Sequence, residues 1–392
     1  MNTKRNFLTH THSLVIFILF LSLLIPNKID ATNYYVSATG NDGADGLTAA
    51  SAWQSISKVN AILSNISEGS TIFFNRGDIF YGTIIIQKSG TSVSPITLSA
   101  YGTGAKPTIT GFTTITGWTN EGGGIYSKVI SGSTLTNMVT IDGKQVGMGR
   151  YPETGFMKYE YASSTSITDV GLGTTINWKG AGLAIRKNDW TLDRATITNH
   201  VGDVLTFSNL GTSQAPEAGC GYFIMNDLRT LTTYGEWYHN TSTGKFYMYF
   251  GTVDPNTKVV QVATSNNLVI NSGAYDYITL DNLNLTGAIN NAVYNTGSSD
   301  YCNIQNCHIS FCGNNGIDLE AGTGCIIDNN SIRDCNAMGI YIYYSTSLYQ
   351  ITNNRISNIG IIPGQYYGLN GSQAISTRGN NGLISYNTIK KT

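Results

Sequence analysis

Toward the C-terminal end of this chain, apolar residues recur in short alternating runs at a fixed interval. Five segments align on the apolar residue that closes a short Asn-containing motif. They are Asn282-Leu283-Asn284-Leu285, Asn306-Cys307-His308-Ile309, Asn329-Asn330-Ser331-Ile332, Asn353-Asn354-Arg355-Ile356 and Tyr386-Asn387-Thr388-Ile389. Successive anchors are 24, 23, 24 and 33 residues apart. Five residues upstream of each anchor stand Leu280, Ile304, Ile327, Ile351 and Ile384; eight downstream of the first three stand Val293, Ile317 and Ile340. Ile375 takes that place in the fourth after an insertion. A period in the low twenties with strand-like alternation is too short for a helical hairpin repeat and suits one coil of a parallel β-helix. A leucine-rich repeat would show a Leu-x-x-Leu-x-Leu framework, and Leu is sparse here. The pattern therefore predicts an all-β parallel β-helix, a solenoid, with its repeats over 264–392.

The rest of the chain divides around that repeat. Tyr34-Tyr35-Val36-Ser37, the turn Gly40-Asn41-Asp42-Gly43 and Ala52-Trp53 lead into an amphipathic stretch through Ile56, Val59 and Ile62, which predicts a short helix. Strand-like runs follow at Ile72-Phe73-Phe74, Ile84-Ile85-Ile86, Ile96-Thr97-Leu98 and Thr108-Ile109-Thr110. Residues 32–133 thus read as an N-terminal cap with the first coils, since an uncovered coil would expose an edge and an apolar end. Over 134–263 the repeat disappears and strands carrying Trp178, Trp190 and Trp237 replace it, which predicts an inserted β-rich module. Within it, Gly235-Glu236-Trp237-Tyr238 and Phe246-Tyr247-Met248-Tyr249-Phe250 flank a polar turn, a hairpin pattern. The repeat halts at Thr392 just after a strand motif without an amphipathic cap, so a truncated C-terminal end is expected.

Composition agrees with a turn-rich β-protein and removes other classes. Of 392 residues, 44 are Gly and only 12% are charged, against roughly 25% charged in ordinary soluble domains. That excludes a long charged helix, and 41% hydrophobic residues argue against disorder. A net charge of −1 leaves no basic footprint, so no nucleic-acid partner is expected. Lys4 and Arg5 precede an apolar run from Leu14 to Ile25, and Ile29-Asp30-Ala31 offers a small residue before a cut. The run is short for a membrane span and reads as a signal peptide over 1–31, with an uncleaved anchor as the alternative. The expected product is secreted or surface-located, monomeric and not integral to the membrane.

Stacked coils place equivalent residues one strand spacing apart, roughly 4.8 Å. Asn330, Asn354 and Asn387 then form a ladder whose amides satisfy one another and the turn backbone. Cys302 stacks on Cys325 and Cys312 on Cys335, either as buried thiols or as disulfides between strands. No CxxC metal pair occurs among them.

The residues quoted above carry a resemblance. Tyr34-Tyr35-Val36-Ser37 with Gly40-Asn41-Asp42, Gly46 and Ala52-Trp53, and Arg76-Gly77-Asp78 before Tyr81-Gly82, resemble the opening of secreted right-handed parallel β-helix proteins of the pectate-lyase-like superfamily. Arg150-Tyr151-Pro152, Trp178-Lys179-Gly180-Ala181 and Gly235-Glu236-Trp237-Tyr238 resemble bacterial β-helical glycoside hydrolases grouped as family 141. The resemblance implies a right-handed solenoid that acts on a polysaccharide, with fucosidase and xylanase activities among such relatives. Pectate lyases of this fold often use an Asp cluster for calcium and a Lys or Arg as base. The repeat region here has no Asp-Asp pair and no Lys before Lys390. No cofactor is expected, and a plain turn explains Gly40-Asn41-Asp42-Gly43 without calcium.

Alternation also locates candidate chemistry. With Ile317, Leu319, Ile340 and Ile342 inward, one outward column holds Tyr294, Asp318, Tyr341 and Ser376. A second holds Thr296, Glu320, Tyr343 and Arg378. Two carboxyl groups among tyrosines suit a glycosidase cleft, where one protonates the leaving oxygen and the other activates water or attacks. Asp318 and Glu320 are the candidate catalytic pair; Tyr294, Tyr341, Tyr343 and Arg378 are candidate substrate contacts. His308 and Arg355 share another repeat column and suit an acidic sugar. The coil lengthened by Ile361 to Ser372, with Gln365, Tyr366 and Tyr367, is a candidate cleft wall. Three readings remain open at this point: hydrolase, uronate lyase with Arg378, Arg355 or His308 in support, and non-catalytic binding or adhesive solenoid.

Overall fold

The computed structural model describes residues 31–130, 134–208, 215–366 and 371–391. The apolar run Leu14 to Ile25 and Tyr367 lie outside the described residues. Among the described residues, no helix is long and apolar enough to cross a membrane.

Three parallel sheets run side by side along the chain. Sheet A stacks Asn33–Val36, Thr71–Asn75, Ile96–Tyr101, Ile278–Asp281, Asn303–Gln305, Ile326–Asp328, Gln350–Thr352 and Leu383–Ser385. Sheet B stacks Ile79–Tyr81, Thr108–Thr110, Asn284–Ala288, His308–Cys312, Ser331–Cys335, Arg355–Ser357 and Thr388–Lys390. Sheet C stacks Ile84–Ile85, Val269–Asn271, Val293–Asn295, Ile317–Thr323, Met338–Ser347 and Gln373–Thr377. Each coil visits A, B and C in turn, so the solenoid expected from the period is present with the expected register. Leu280 pairs with Ile304, Ile304 with Ile327 and Ile327 with Ile351. These residues, with Ile309, Ile332, Ile356, Ile317 and Ile340, form one continuous apolar column through the coils.

The corner from A to B explains the Asn motif. Asn282, Asn306, Asn329 and Asn353 all take left-handed backbone, with φ of 63°, 54°, 54° and 57°. Asn tolerates that conformation because its short polar side chain bonds locally. The next residue turns inward. There the Asn330 backbone N–H donates to Asn354 Oδ1, and Asn354 N–H to Asn387 Oδ1, both at 2.9 Å. Their Nδ2 groups donate to the carbonyls of Ile304, Ile327 and Ile351. Cys307 occupies the same position one coil earlier, and its N–H donates to Asn330 Oδ1 at 2.8 Å. Cys312 pairs in register with Cys335, and the cysteines of the described residues are free thiols.

At the N-terminal end, the helix Ile56–Ile62 lies over the first coil with Ile56 and Val59 buried. Ser55 caps it by accepting from the Lys58 N–H. Trp53 is buried beside Tyr34, their rings stacked at 4.9 Å. The strands from Thr71 to Thr110 belong to the solenoid, as one full coil and the A and B strands of the next, whose sheet C strand Val269–Asn271 follows the module. The antiparallel module leaves the solenoid directly after Thr110: Phe112–Ile115 pairs with Val260–Ala263 and brackets the inserted sheets. The antiparallel strands thus begin 22 residues before Thr134, where the sequence placed the boundary. Alternation in Phe112–Ile115 looks the same whether the partner strand is parallel or antiparallel, so it could not mark the change. The expected hairpin is present as Trp237–Asn240 against Lys245–Tyr249.

The module departs at the corner between sheets B and C. The lengthened coil at Ile361 to Ser372 departs from that same corner four coils later, and the two touch. Arg194 Nη1 donates to the Gln365 carbonyl at 3.2 Å. Asn336, at the B-to-C corner of an intervening coil, donates to the Asn137 carbonyl at 2.6 Å.

Replacing Asn330 by Ala removes the acceptor of the Cys307 N–H and the donor to Ile304 inside a buried turn. Leaving such groups unmatched costs about 1–3 kcal/mol each. A fall in unfolding free energy of roughly 2–4 kcal/mol is expected in urea titration. A loss indistinguishable from that of an exposed Asn would mean the ladder does not hold the corner.

Candidate active site

The first outward column of sheet C is in the register the sequence predicts. Tyr294 pairs with Asp318, Asp318 with Tyr341 and Tyr341 with Ser376. The environment of Asp318 differs from expectation. Alternation makes it an outward acid on an open strand, yet it is only 6% exposed. Its Oδ2 accepts hydrogen bonds from Asn291 Nδ2 at 3.2 Å and Asn315 Nδ2 at 2.9 Å. Its Oδ1 is buried with no hydrogen-bond partner among the described residues. Burial pushes the Asp318 carboxyl up to about 7, and the neighbouring Glu320 adds to the rise, while the two Asn donors oppose it.

The Asn residues that hold this acid form a second ladder. Asn291 N–H donates to Asn267 Oδ1, Asn315 N–H to Asn291 Oδ1, and Met338 N–H to Asn315 Oδ1, at 3.0, 2.9 and 3.1 Å. Each ladder oxygen therefore serves the backbone of the next coil. The Nδ2 groups of Asn291 and Asn315 remain to meet at Asp318. The sequence reading missed them, although the signal was there: Asn267, Asn291 and Asn315 are 24 residues apart, each three residues before an outward strand position.

Glu320 is half-buried, and its Oε1 accepts a hydrogen bond from the Tyr294 hydroxyl at 3.1 Å. Burial, followed by the nearby Glu320, raises the Tyr294 hydroxyl to about 12 and keeps it a donor. The second column departs from the expected register. Leu319 pairs with Ile342 but Ala321 with Ser345, so Tyr343 and Tyr344 together oppose Glu320. This is a β-bulge, which re-aims side chains and is frequent beside active sites. Tyr343 and Tyr344 are pushed to the surface, with their rings edge to face at 5.1 Å. Arg378 Nη1 donates to the Tyr344 hydroxyl at 3.2 Å, and its guanidinium lies over that ring. Tyr344 is a surface aromatic the sequence did not single out, because a bulge leaves no mark on the period.

Other candidates lie elsewhere. His308 and Arg355 do share a column, through Ser331, but it belongs to sheet B and not to the acids' sheet. Glu236 accepts from the N–H groups of Thr232 and Thr233, the local pairing expected of it. Asp42 accepts from the Gln54 and Ser55 N–H groups and the Ser55 hydroxyl, so its carboxylate is committed to the turn. Gln365 is buried against the module, and Tyr366 is half-buried in the same wall. Among the described residues, no group of three or more His, Cys, Asp or Glu side chains is placed to hold a metal ion.

With this geometry in hand, the comparisons bear on the fold. The family described as "Right handed beta helix region" matches residues 291–392. The chain is a right-handed parallel β-helix. A curated lacto-N-biosidase of Bifidobacterium longum subsp. longum is 38% identical over 74 residues, 18% of this chain. That stretch spans only 5% of the relative's length. A solved structure described as a glycoside hydrolase aligns with 92% of this chain and 96% of its own, at 13% identity and a TM-score of 0.56. A complex of XylC with xylose aligns with 91% of this chain and 58% of its own, at 16% identity and a TM-score of 0.53. At such identities the two structures establish shared architecture.

The raised Asp318 carboxyl has a thermodynamic signature. Between about pH 4 and 7 the folded protein holds a proton there that the unfolded chain has lost, so this group lowers stability as pH rises. Relative to Asp318→Asn, the native protein should lose up to about 1.4 kcal/mol per pH unit across that window. Paired urea titrations at several pH values check this. A pH-independent difference would show that Asp318 ionises normally.

Proposed function

We propose that this protein is an extracytoplasmic carbohydrate-active enzyme that hydrolyses glycosidic bonds of a polysaccharide on the outer face of sheet C. The observation that carries the reading is the buried Asp318, one oxygen of which has no hydrogen-bond partner among the described residues, with a second, differently solvated carboxyl, Glu320, two residues along the same strand. Two acids whose environments differ are the usual basis for dividing acid and base work.

The roles follow from the hydrogen bonds. Because Oδ2 already accepts two amide donors, the acidic proton of neutral Asp318 belongs on Oδ1. Oδ1 is covered in the substrate-free protein, so delivery of that proton to the leaving glycosidic oxygen requires that substrate binding uncover it. The carboxylate left behind is met by two N–H donors that need not move. Glu320, oriented by the Tyr294 hydroxyl, is the second carboxylate, activating water or attacking the sugar carbon. Tyr341, Tyr343 and Tyr344 offer ring faces for sugars, and Arg378 is held against Tyr344. The architecture shared with a glycoside hydrolase and with a xylose-bound protein, and the local identity to a lacto-N-biosidase, support the same reading. A uronate lyase is the second reading, with Arg378 as its basic group on sheet C, while His308 and Arg355 stand on sheet B.

Incubation with a polysaccharide panel tests the proposal. New reducing ends without unsaturated-uronate absorbance are expected, and that absorbance would instead establish a lyase. The rate should fall about tenfold per pH unit above pH 7 as Asp318 loses its proton. Asp318→Asn and Glu320→Gln should each lower kcat by at least about 100-fold. Full activity in the double variant would refute the assignment of these acids.

A further inference from the structure

A separate groove lies along sheet B and its corner with sheet A, on a different sheet from Asp318. It has a volume of about 320 Å³, and Lys106, His308 and Arg355 line it together with the corner residues Asn306, Asn329 and Asn353. In a chain with only 12% charged residues, two cations and an imidazole converge here while no carboxylate lines the groove. The nearest acids, Asp281 and Asp328, do not line it, but they accept from the lining amides Asn306 Nδ2 and Asn353 Nδ2, and Asp328 also from Thr352 Oγ1.

The stacking fixes the spacing. His308 and Arg355 stand on strands two apart with Ser331 between, so their backbones are on the order of 10 Å apart. Arg355 is exposed, and its guanidinium has no partner among the described residues. Lys106 is anchored from the other side by donating to Asn282 Oδ1 at 2.5 Å. Between these cations the outward Asn side chains and the Ser331 hydroxyl present polar groups at every coil. Burial first, and then the charges of Lys106 and Arg333, hold His308 below its usual range.

We propose that this groove binds an anionic glycan, with Lys106 and Arg355 pairing with successive acidic groups and the Asn–Ser column meeting sugar hydroxyls. Charged donors to an anion supply the strength, and the in-register column supplies the repeat a polymer needs. The site is independent of the hydrolytic reading of sheet C. Uronate carboxylates and sulfate esters share the required chemistry.

The test uses the full chain carrying Asp318→Asn and Glu320→Gln, so that no probe is consumed. Affinity electrophoresis at low salt is run with polygalacturonate, dextran sulfate and neutral dextran. Retardation by at least one of the two polyanions, and none by dextran, is expected. Polygalacturonate alone would identify uronates, dextran sulfate alone sulfate esters, and both a general anionic glycan. Arg355→Glu should weaken retention about tenfold, the equivalent of one lost ion pair. Lys179→Glu makes the same change of net charge on the exposed surface of the module and should alter retention less than about twofold. Lys106→Gln should weaken retention as well, with thermal midpoints confirming that each variant is folded. Absence of retardation, or equal losses for Arg355→Glu and Lys179→Glu, would overturn the proposal.

Discussion

In the paired strands of this solenoid, residues meet their counterparts one coil away, at a spacing of roughly 4.8 Å. That in-register stacking is the constraint on which everything else depends. An apolar position is extended by the next apolar position, which is how Leu280, Ile304, Ile327 and Ile351 come to form a single column. A polar group turned inward at a corner, such as Asn330 or Asn354, has no such freedom, because water is excluded there and only the adjacent coil can answer it. The side chain that best solves the problem is an amide, carrying both a donor and an acceptor. Charges cannot be stacked on like charges without penalty, which accounts for a chain in which only 12% of residues carry one.

The same device builds the candidate active site. At the corner before sheet C, each Asn spends its oxygen on the backbone of the next coil. The amide hydrogens left over on Asn291 and Asn315 converge on Asp318. The acid is thus held by parts that also hold the fold, and its position is as rigid as the stack. Burial favours its neutral form while the two donors stabilise the ionised form. Their opposition leaves the group near neutrality, where a carboxyl can give up a proton and recover it. The bulge at Tyr343 and Tyr344 interrupts the register only beyond Leu319, so it widens the surface without disturbing the acid.

The solenoid and its register were legible in the sequence because stacking repeats the pattern at nearly constant intervals. So was the column Tyr294, Asp318, Tyr341, Ser376, since it lies within paired strands. What could not be read is what alternation does not encode. Alternation sorts side chains into inward and outward, but an outward residue can still be buried by its neighbours, as Asp318 is. It assumes one residue per position, which the bulge at Tyr344 breaks. It does not say how far apart two columns lie, so His308 and Arg355 could be set beside Arg378 as basic groups for a lyase, from which their place on sheet B separates them. Nor does it separate parallel from antiparallel pairing, which hid the start of the module at Phe112.

The placement of the two insertions has a physical reason of the same kind. The corner from A to B is closed by left-handed Asn residues and a buried amide ladder. Extra chain there would break a hydrogen bond in two coils at once. At the corner from B to C, Asn267, Asn291 and Asn315 bond to the residues just before the sheet C strands, and chain inserted upstream of them leaves those bonds intact. Both the module and the lengthened coil leave through that opening, and they meet across Arg194 and Gln365. Chain added at this corner enters just ahead of the sheet C strands that carry the acids and tyrosines. A stack that tolerates length at one corner and forbids it at another therefore directs variation to the border of its candidate site.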